Sequence, residues 1–371
     1  MKILTVLGTR PEIIRLSCII PRVDRHFRHV LVHTGQNTDP ALSDVFFTEL
    51  GLRPPDRHLG IEERDFARQI GRILADMREV LLAERPDRLL ILGDTNSALA
   101  AIVARRMGIP VFHLEAGNRC HDPRVPEEVN RRIVDAVSDV LMPYSERSRA
   151  NLLREGFPAE RVHVVGNPMY EVLQANAGRI EASRAHATVG VEPGRFLLAT
   201  LHRAENTDDP ARLATFVAAF GAAAGREAMP LLVSTHPRTA DRLRAAGIAA
   251  PAGVRFLPPF GFADFVALSR QARCVLTDSG TVQEECTILH IPNVTLRETT
   301  ERPETVEIGA NLVAGCDVDR ILRCIAIATD GPPRWQVPPE YVVPAVADTV
   351  VRILAGRLPL GVPGPDAPPI G

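Results

Sequence analysis

The stretch Lys2–Glu12, KILTVLGTRPE, shows the pattern from which the fold of this 371-residue chain is predicted. The run Lys2–Leu7 predicts a buried strand, and the residues after it predict a loop that leads into a helix. Pro11 fits the first turn of that helix, where the missing N–H of proline costs nothing. The same order of strand, loop and helix recurs along the chain. It predicts an α/β protein with parallel sheets and helices on both of their faces.

The strand pattern runs through one half of the chain and then restarts in the other. The predicted strands are Lys2–Leu7, His29–His33, Arg88–Leu92, Val111–Leu114, Val140–Met142 and Val162–Val165, then Arg195–Leu201, Leu231–Ser234, Val254–Phe256, Val275–Thr277 and Asn293–Leu296. Helices are predicted near residues 64–83 and at Val343–Ala355. We therefore expect two Rossmann-like domains, residues 1–170 and 171–342, with a closing helix within 343–358. Residues 359–371, rich in proline and glycine, are expected to be disordered.

The composition is that of an ordinary soluble globular protein, with 45% apolar and 24% charged residues and a net charge of −2. This balance argues against a dedicated nucleic-acid surface. No apolar run approaches the ~20 residues that a membrane span needs. Lys2 is the only lysine, which excludes an internal Schiff-base, pyridoxal-phosphate or P-loop lysine. Six cysteines without a CxxC pair predict reduced thiols in a cytoplasmic protein, with neither disulfides nor a metal site.

Polar residues follow the predicted strands of both halves at their carboxyl ends. Ligands of open parallel sheets bind beyond these ends, so the polar residues predict a shared cleft. They are Arg10, Gln36, Asp94, Glu115, His202, His236 and Asp278–Gly280. Helix capping would explain Asp94 and Asp278 as well, and it is compatible with ligand binding. The turn Ser279–Thr281 precedes a helix, where backbone N–H groups attract phosphate.

Seven motifs follow one another along the chain. They are GTRPE at Gly8–Glu12, GDT at Gly93–Thr95, EAG at Glu115–Gly117, PEEVNR at Pro126–Arg131, His202-Arg203, TDSGTVQEE at Thr277–Glu285 and TTERPE at Thr299–Glu304. In these motifs, and over about residues 2–315, the chain resembles the non-hydrolysing UDP-N-acetylglucosamine 2-epimerases. The resemblance implies a GT-B-like fold whose two Rossmann-like domains face a central cleft. It also implies a homodimer that needs no cofactor and no metal.

The resemblance gives a role to each matching residue. The implied catalytic residues are Asp94, Glu115, Glu127 and His202. The implied substrate-binding residues are Arg10, Arg131, Ser279, Gly280, Thr281, Glu285 and Arg302. Among these, Arg10, His202 and the turn at Ser279 would hold the diphosphate, and Glu285 would bind the ribose. Arg131 and Arg302 would orient the sugar or the carboxylates, unless both form structural ion pairs instead.

The implied reaction is reversible inversion of C2 in UDP-N-acetylglucosamine. The C2 proton is not acidic, because no neighbouring carbonyl stabilises a carbanion. The family therefore expels UDP from C1 and adds it back through a 2-acetamidoglucal. This route needs a base and an acid on opposite faces of C2, and carboxylates that repel one another have well-separated pKa values.

A different sugar or a different activity would also fit the sequence. The stretches EIIRLS at Glu12–Ser17, GDTNSALAA at Gly93–Ala101, EAGNRC at Glu115–Cys120 and STHPRT at Ser234–Thr239 look closer to the UDP-N-acetyl-L-fucosamine synthases. Those enzymes invert C2 of a UDP-2-acetamido-2,6-dideoxyhexose. A hydrolysing 2-epimerase, a GT-B glycosyltransferase and a non-enzymatic UDP-sugar sensor also remain open.

Overall fold

Two compact units make up the chain in the computed structural model, which describes residues 1–36, 40–63 and 65–358. The first unit comprises Met1–Ala175 together with the stretch that begins at Pro339, and the second comprises Asn176–Pro338. The chain thus leaves the first unit after residue 175, close to the expected boundary at 170, and returns to it at Pro339, ahead of the expected closing helix. The predicted disordered tail, 359–371, lies outside the described residues.

The first unit contains a six-stranded sheet and the first eight α-helices. Its strands are β1 (Lys2–Leu7), β2 (Arg28–His33), β3 (Arg57–His58), β4 (Arg88–Leu92), β5 (Val111–Leu114) and β6 (Val140–Met142). Its helices are α1 (Arg10–Leu16), α2 (Ile19–His26), α3 (Pro40–Glu49), α4 (Phe66–Glu84), α5 (Ala100–Arg106), α6 (Pro126–Val137), α7 (Glu146–Arg154) and α8 (Met169–Ala175).

The second unit repeats this plan. Its strands are β7 (Leu197–Thr200), β8 (Leu231–Ser234), β9 (Val254–Leu257), β10 (Cys274–Thr277), β11 (Asn293–Thr295) and β12 (Asn311–Val313). Its helices are α9 (Ala177–Ala182), α10 (Ala185–Val189), α11 (Ala204–Thr207), α12 (Pro210–Glu227), α13 (Pro237–Ala245), α14 (Phe262–Gln271), α15 (Gly280–Ile288), α16 (Pro303–Glu307) and α17 (Val318–Ala328). The last helix, α18 (Val346–Ala355), belongs to the first unit.

Both sheets are parallel and share one strand order. The first runs β3-β2-β1-β4-β5-β6, and the second runs β12-β11-β10-β7-β8-β9, which is the same order read from the opposite edge. In each sheet the order in which strands are added reverses between two central strands. These are β1 and β4 in the first sheet and β7 and β10 in the second. Ligands of doubly wound folds bind at such switch points. The predicted pair of Rossmann-like parallel sheets is confirmed.

Apolar side chains on both faces of the strands explain why the sheets form. In β1 every residue from Ile3 to Leu7 is buried, as parallel strands covered by helices require. Helix α4 adds Ile73, Met77 and Leu81 at four-residue spacing to the same core. Each such side chain contributes about 2 kcal/mol through burial. Lys2 begins β1, and its Nζ lies 3.2 Å from Oε2 of Glu84 at the end of α4.

One predicted strand is wrong. Val162–Val165 is not a strand, because Val162 alone forms a bridge, to Leu141. The amides of His163 and Val165 do donate to Leu141 and Pro143. Pro143 has no N–H to donate back to the opposite segment, so the hydrogen-bonded pairing does not extend into a strand. The short outer strands β3 and β12 were not predicted. None of the described helices is long and apolar enough to cross a membrane.

Candidate active site

The loop after β4 places Asp94 at the switch point of the first sheet, where Arg131 of α6 reaches it. Arg131 is buried, with its Nε 3.0 Å from Oδ2 of Asp94 and its Nη1 2.8 Å from Glu128. Burial raises the pKa of Asp94, Arg131 opposes this, and the charges of Glu115 and Glu127 raise it further. Glu115 and Glu127, the other two predicted carboxylates of the first unit, therefore lie close enough to Asp94 to affect its pKa.

Glu115 follows β5 with a left-handed backbone, φ 74°, a conformation that strains any residue other than glycine. Its carboxylate has a donor on each oxygen. Arg15 donates to Oε2, and the side-chain amide of Asn118 donates to Oε1 at 3.1 Å. Such donors favour the ionised form. Sequence reasoning missed Arg15 as a site residue, although its place in the helix that begins at Arg10 was an available signal.

Arg10 and Glu127 occupy the first turns of two helices at the same edge of the sheet. Arg10 begins α1, and its guanidinium carbon lies 4.4 Å from the ring centroid of Phe46. Stacking of this kind orients the flat guanidinium and leaves its charge in place. Glu127 lies in the first turn of α6 after Pro126, where the helix dipole favours a negative charge. Arg10 and Glu127 thus both lie in first turns that begin at the carboxyl ends of the strands.

A further buried carboxyl group, that of Glu12, joins two loops of this edge. It accepts hydrogen bonds from the Gly8 amide at 3.0 Å, the Thr9 hydroxyl at 2.7 Å and the Thr95 hydroxyl at 3.0 Å. Burial raises the pKa of Glu12 to about 7, although these hydrogen bonds lower it. The sequence placed Glu12 inside a motif but assigned it no role. The structure shows that it connects the loop after β1 to the loop after β4.

Glu12→Gln is expected to flatten the dependence of stability on pH. The folded chain binds the Glu12 proton more tightly than the unfolded chain does. The resulting stabilisation is therefore complete below the unfolded pKa of 4.5 and is lost as pH rises through about 7. The loss is about 3 kcal/mol. Urea titrations at about pH 5 and about pH 8 measure it. If the variant and the unaltered protein lose equal stability between these pH values, the expectation is wrong.

In the second unit, the switch point brings together His202, which follows β7, and Asp278, which follows β10. Nδ1 of His202 lies 3.0 Å from Oδ1 of Asp278. Oδ2 accepts the backbone amides of His202 and Arg203, each at 2.9 Å. Burial raises the pKa of Asp278, but the His202 ring and these donors hold it well below its usual range. Because Nδ1 faces the carboxylate, Nε2 is the ring nitrogen that can meet a substrate.

The predicted phosphate turn, Ser279–Thr281, leads directly from β10 into α15. A Cβ atom at Gly280 would lie 2.6 Å from Oε1 of Glu301. Glu301 is itself fixed by Arg203 at 3.0 Å and Arg297 at 2.5 Å. The position therefore requires glycine. All nine residues of α15 are buried, and Glu285 is one of them.

Arg302 forms a buried ion pair with Glu284 through its Nε. Its backbone amide also donates to the Thr300 hydroxyl at 3.0 Å. Both arginines for which the sequence left two explanations, Arg131 and Arg302, therefore do take part in ion pairs. Their roles toward a substrate stay predictions. Within the described parts of the chain, no three histidine, cysteine, aspartate or glutamate side chains form a group that could hold a metal ion.

Two doubly wound parallel sheets, with carboxylates at the switch point of one and His202 and the turn Ser279–Thr281 at that of the other, are typical of the α/β proteins that bind nucleotide ligands. The model of the UDP-N-acetylglucosamine 2-epimerase family matches residues 22–355. The chain belongs to this family, as its motifs predicted. It is 38% identical over 363 residues to the UDP-N-acetylglucosamine 2-epimerase of Methanocaldococcus jannaschii, covering 95% of this chain and 99% of that one.

Two further similarities bear on function. The UDP-2,3-diacetamido-2,3-dideoxy-D-glucuronate 2-epimerase of Pseudomonas aeruginosa is 38% identical over 326 residues, 87% of this chain and 90% of its own. A crystal structure of the M. jannaschii UDP-GlcNAc 2-epimerase, in complex with UDP-GlcNAc and UDP, superposes with a TM-score of 0.91. That comparison covers 96% of this chain and 99% of the other, at 36% identity. The predicted GT-B-like fold class is confirmed.

Proposed function

We propose that this chain catalyses the reversible inversion of C2 in UDP-N-acetylglucosamine, giving UDP-N-acetylmannosamine. The observation that carries the proposal is the group of carboxylates in the first unit, where Glu115 and Glu127 both act on Asp94. Asp94, Glu115 and Glu127 belong to different elements, and the charges of the other two act on the pKa of Asp94. A sugar that must lose a proton from one face of C2 and gain one on the other needs such a group. A glycosyltransferase or a UDP-sugar sensor does not.

The proposed steps balance without an added cofactor. A carboxylate removes the C2 proton, the electron pair forms the C1=C2 double bond, and the C1–O bond to UDP breaks. UDP then returns to C1 while a carboxylic acid delivers a proton to the opposite face of C2. Glu115, held by Arg15 and Asn118, is suited to be the base, because both neighbours favour its ionised form. Asp94 is suited to be the acid, because burial raises its pKa.

The leaving diphosphate needs positive charge and N–H donors. We propose that Arg10, Nε2 of His202 and the turn Ser279–Thr281 supply them. Support comes from the Asp278 contact that orients the His202 ring and from the start of α15 at Gly280. Glu285 is proposed to bind the ribose hydroxyls, and Arg131 and Arg302 to orient the reacting groups. In this scheme no metal and no organic cofactor take part.

A second candidate substrate is UDP-2,3-diacetamido-2,3-dideoxy-D-glucuronate. The relative named for that sugar is as similar in percentage identity as the one named for UDP-N-acetylglucosamine. Both reactions invert C2, so the same carboxylates would serve either sugar. The 6-deoxy sugar predicted from the first half of the sequence stays a third candidate. The three sugars differ in their substituents at C3 and C6, and recognition of those substituents would decide which sugar is the substrate.

Proton NMR in D₂O, with each UDP-sugar in turn, tests the proposal. UDP-N-acetylglucosamine should give UDP-N-acetylmannosamine signals, with deuterium entering C2 and without release of free sugar. Free N-acetylmannosamine would indicate a hydrolysing 2-epimerase. If the protein leaves UDP-N-acetylglucosamine unchanged and converts one of the other two sugars, the substrate is wrong and the reaction is right. If all three sugars stay unchanged, the reaction is wrong as well.

The assembly and compartment are also proposals. We infer a cytoplasmic homodimer, on the family resemblance and on six cysteines that are all free thiols. Light scattering at several protein concentrations tests the homodimer, and fractionation of the source cells tests the cytoplasmic location. A monomer at all concentrations would contradict the dimer.

A further inference from the structure

A buried charged cluster adjoins the loops that carry Asp94 and Glu115. It consists of His113 in β5, Asp135 in α6 and Arg119, and is called here the His113 cluster. His113 and Asp135 are fully buried, and Arg119 is 3% exposed. None of the three has a part in the proposed chemistry. Placing this much charge inside a protein contributes little net stability, so the cluster calls for another explanation.

His113 connects the cluster to the Asp94 loop. Its Nδ1 lies 2.8 Å from Oδ1 of Asp135, and its Nε2 lies 2.9 Å from the carbonyl oxygen of Gly93. Each ring nitrogen of His113 therefore has a hydrogen-bond partner, one in α6 and one in the loop after β4. Its bond to Gly93 fixes the peptide group that leads directly into Asp94.

Asp135 and Arg119 connect the cluster to the Glu115 loop. Oδ2 of Asp135 accepts the Gly117 amide at 3.2 Å and lies 2.8 Å from Nη2 of Arg119. Nη1 of Arg119 donates to the carbonyl oxygen of Asn118 at 2.7 Å. Asn118 in turn donates to the Glu115 carboxylate. The strained backbone at Glu115 needs such support, because the surroundings must hold a residue in the left-handed region.

We propose that His113, Asp135 and Arg119 are positioning residues, which fix the Asp94 and Glu115 loops relative to each other at the separation that the C2 chemistry requires. The inference rests on the proposed function, since it assumes that these two carboxylates act on one substrate. The cluster acts through Gly93 on one side and through Gly117 and Asn118 on the other. Its removal displaces reacting groups without altering them. A displacement of about 1 Å costs about 100-fold in rate.

The test compares His113→Gln with His29→Gln. His29 is a matched control because its side chain is also buried and paired, with Nδ1 2.6 Å from Asp24 and Nε2 2.8 Å from Thr5. It lies near the amino end of β2, paired with Ile3, whereas the two loops follow the carboxyl ends of β4 and β5. We expect His113→Gln to lower kcat about 100-fold and to leave KM and the affinity for UDP unchanged. His29→Gln should keep kcat, whatever its effect on stability.

Amide hydrogen exchange gives a second readout that does not depend on activity. Residues 93–97 and 115–119 should exchange faster in His113→Gln and at the original rate in His29→Gln. Unchanged exchange in these segments would overturn the proposal, even if kcat falls. If the unaltered protein epimerises no sugar, the proposed function fails and the exchange data still decide the role in the loops. Should His113→Gln not fold, Arg119→Lys carries the same two measurements with a milder change.

Discussion

Glu115→Gln is expected to lower kcat about 1000-fold, within the range by which a general base accelerates a reaction. The amide keeps the shape of the side chain, and its single oxygen can still accept a hydrogen bond from one of the two donors, Arg15 or Asn118. It cannot take up a proton from C2. The substrate should therefore bind as before and fail to react. Deuterium incorporation at C2, followed by NMR with saturating UDP-sugar, measures the rate directly.

Glu84→Gln is the matched control for this change. Glu84 is also in the first unit and also pairs with an arginine, Arg57, at 2.8 Å. It lies at the end of α4, paired with Lys2 at the amino end of β1. The kcat of the Glu84→Gln variant should equal that of the unaltered enzyme. A Glu115→Gln variant that still exchanges C2 at the normal rate would exclude Glu115 as the base. A variant with weak substrate affinity and normal kcat would make it a binding residue instead.

Gly280→Ala is expected to weaken UDP binding about 100-fold, or by about 3 kcal/mol. The added Cβ would lie 2.6 Å from Oε1 of Glu301, closer than such atoms approach. Glu301 cannot move away cheaply, because Arg203 and Arg297 both hold its carboxylate. The backbone of the phosphate turn must shift instead, and with it the N–H groups at the start of α15. Calorimetric titration with UDP measures the affinity.

Gly225→Ala provides the comparison within the same unit. Gly225 lies inside α12, and a Cβ there would meet no atom within 4 Å. Alanine in a helix interior is more favourable than glycine by about 1 kcal/mol, so this variant should be slightly more stable and bind UDP normally. Equal UDP affinity in both variants would show that the turn at Gly280 does not hold the nucleotide.

The central strands were predictable because parallel strands covered on both faces must be nearly all apolar. Lys2–Leu7, Arg88–Leu92 and Val111–Leu114 have the predicted bounds in the structure. Two outer strands, β3 and β12, are too short to give such a signal. Arg57–His58 has two residues with exposed side chains, and Asn311–Val313 has three residues, the first of them an asparagine. Conversely, Val162–Val165 is apolar enough for a strand, but it does not form one because Pro143, on the opposite segment, has no N–H to donate to it.

The charged residues of the candidate site were predictable where they follow strands, as Asp94, Glu115 and His202 do. Their supporting contacts come from distant parts of the chain, and spacing does not reveal them. Arg15 reaches Glu115 from another helix, and Arg131 reaches Asp94 from α6. A buried arginine looks the same in sequence whether it binds a substrate or a glutamate. For Arg302 only the structure supplies the partner, Glu284.

Lys2 is a site for chemical labelling of the protein. As the one lysine side chain, it is the only ε-amine that an amine-directed dye or a biotin ester could modify. It lies at the start of β1 beside Glu84, whereas the candidate carboxylates follow the opposite ends of the strands. A label on Lys2 would therefore lie at the strand ends away from the candidate carboxylates.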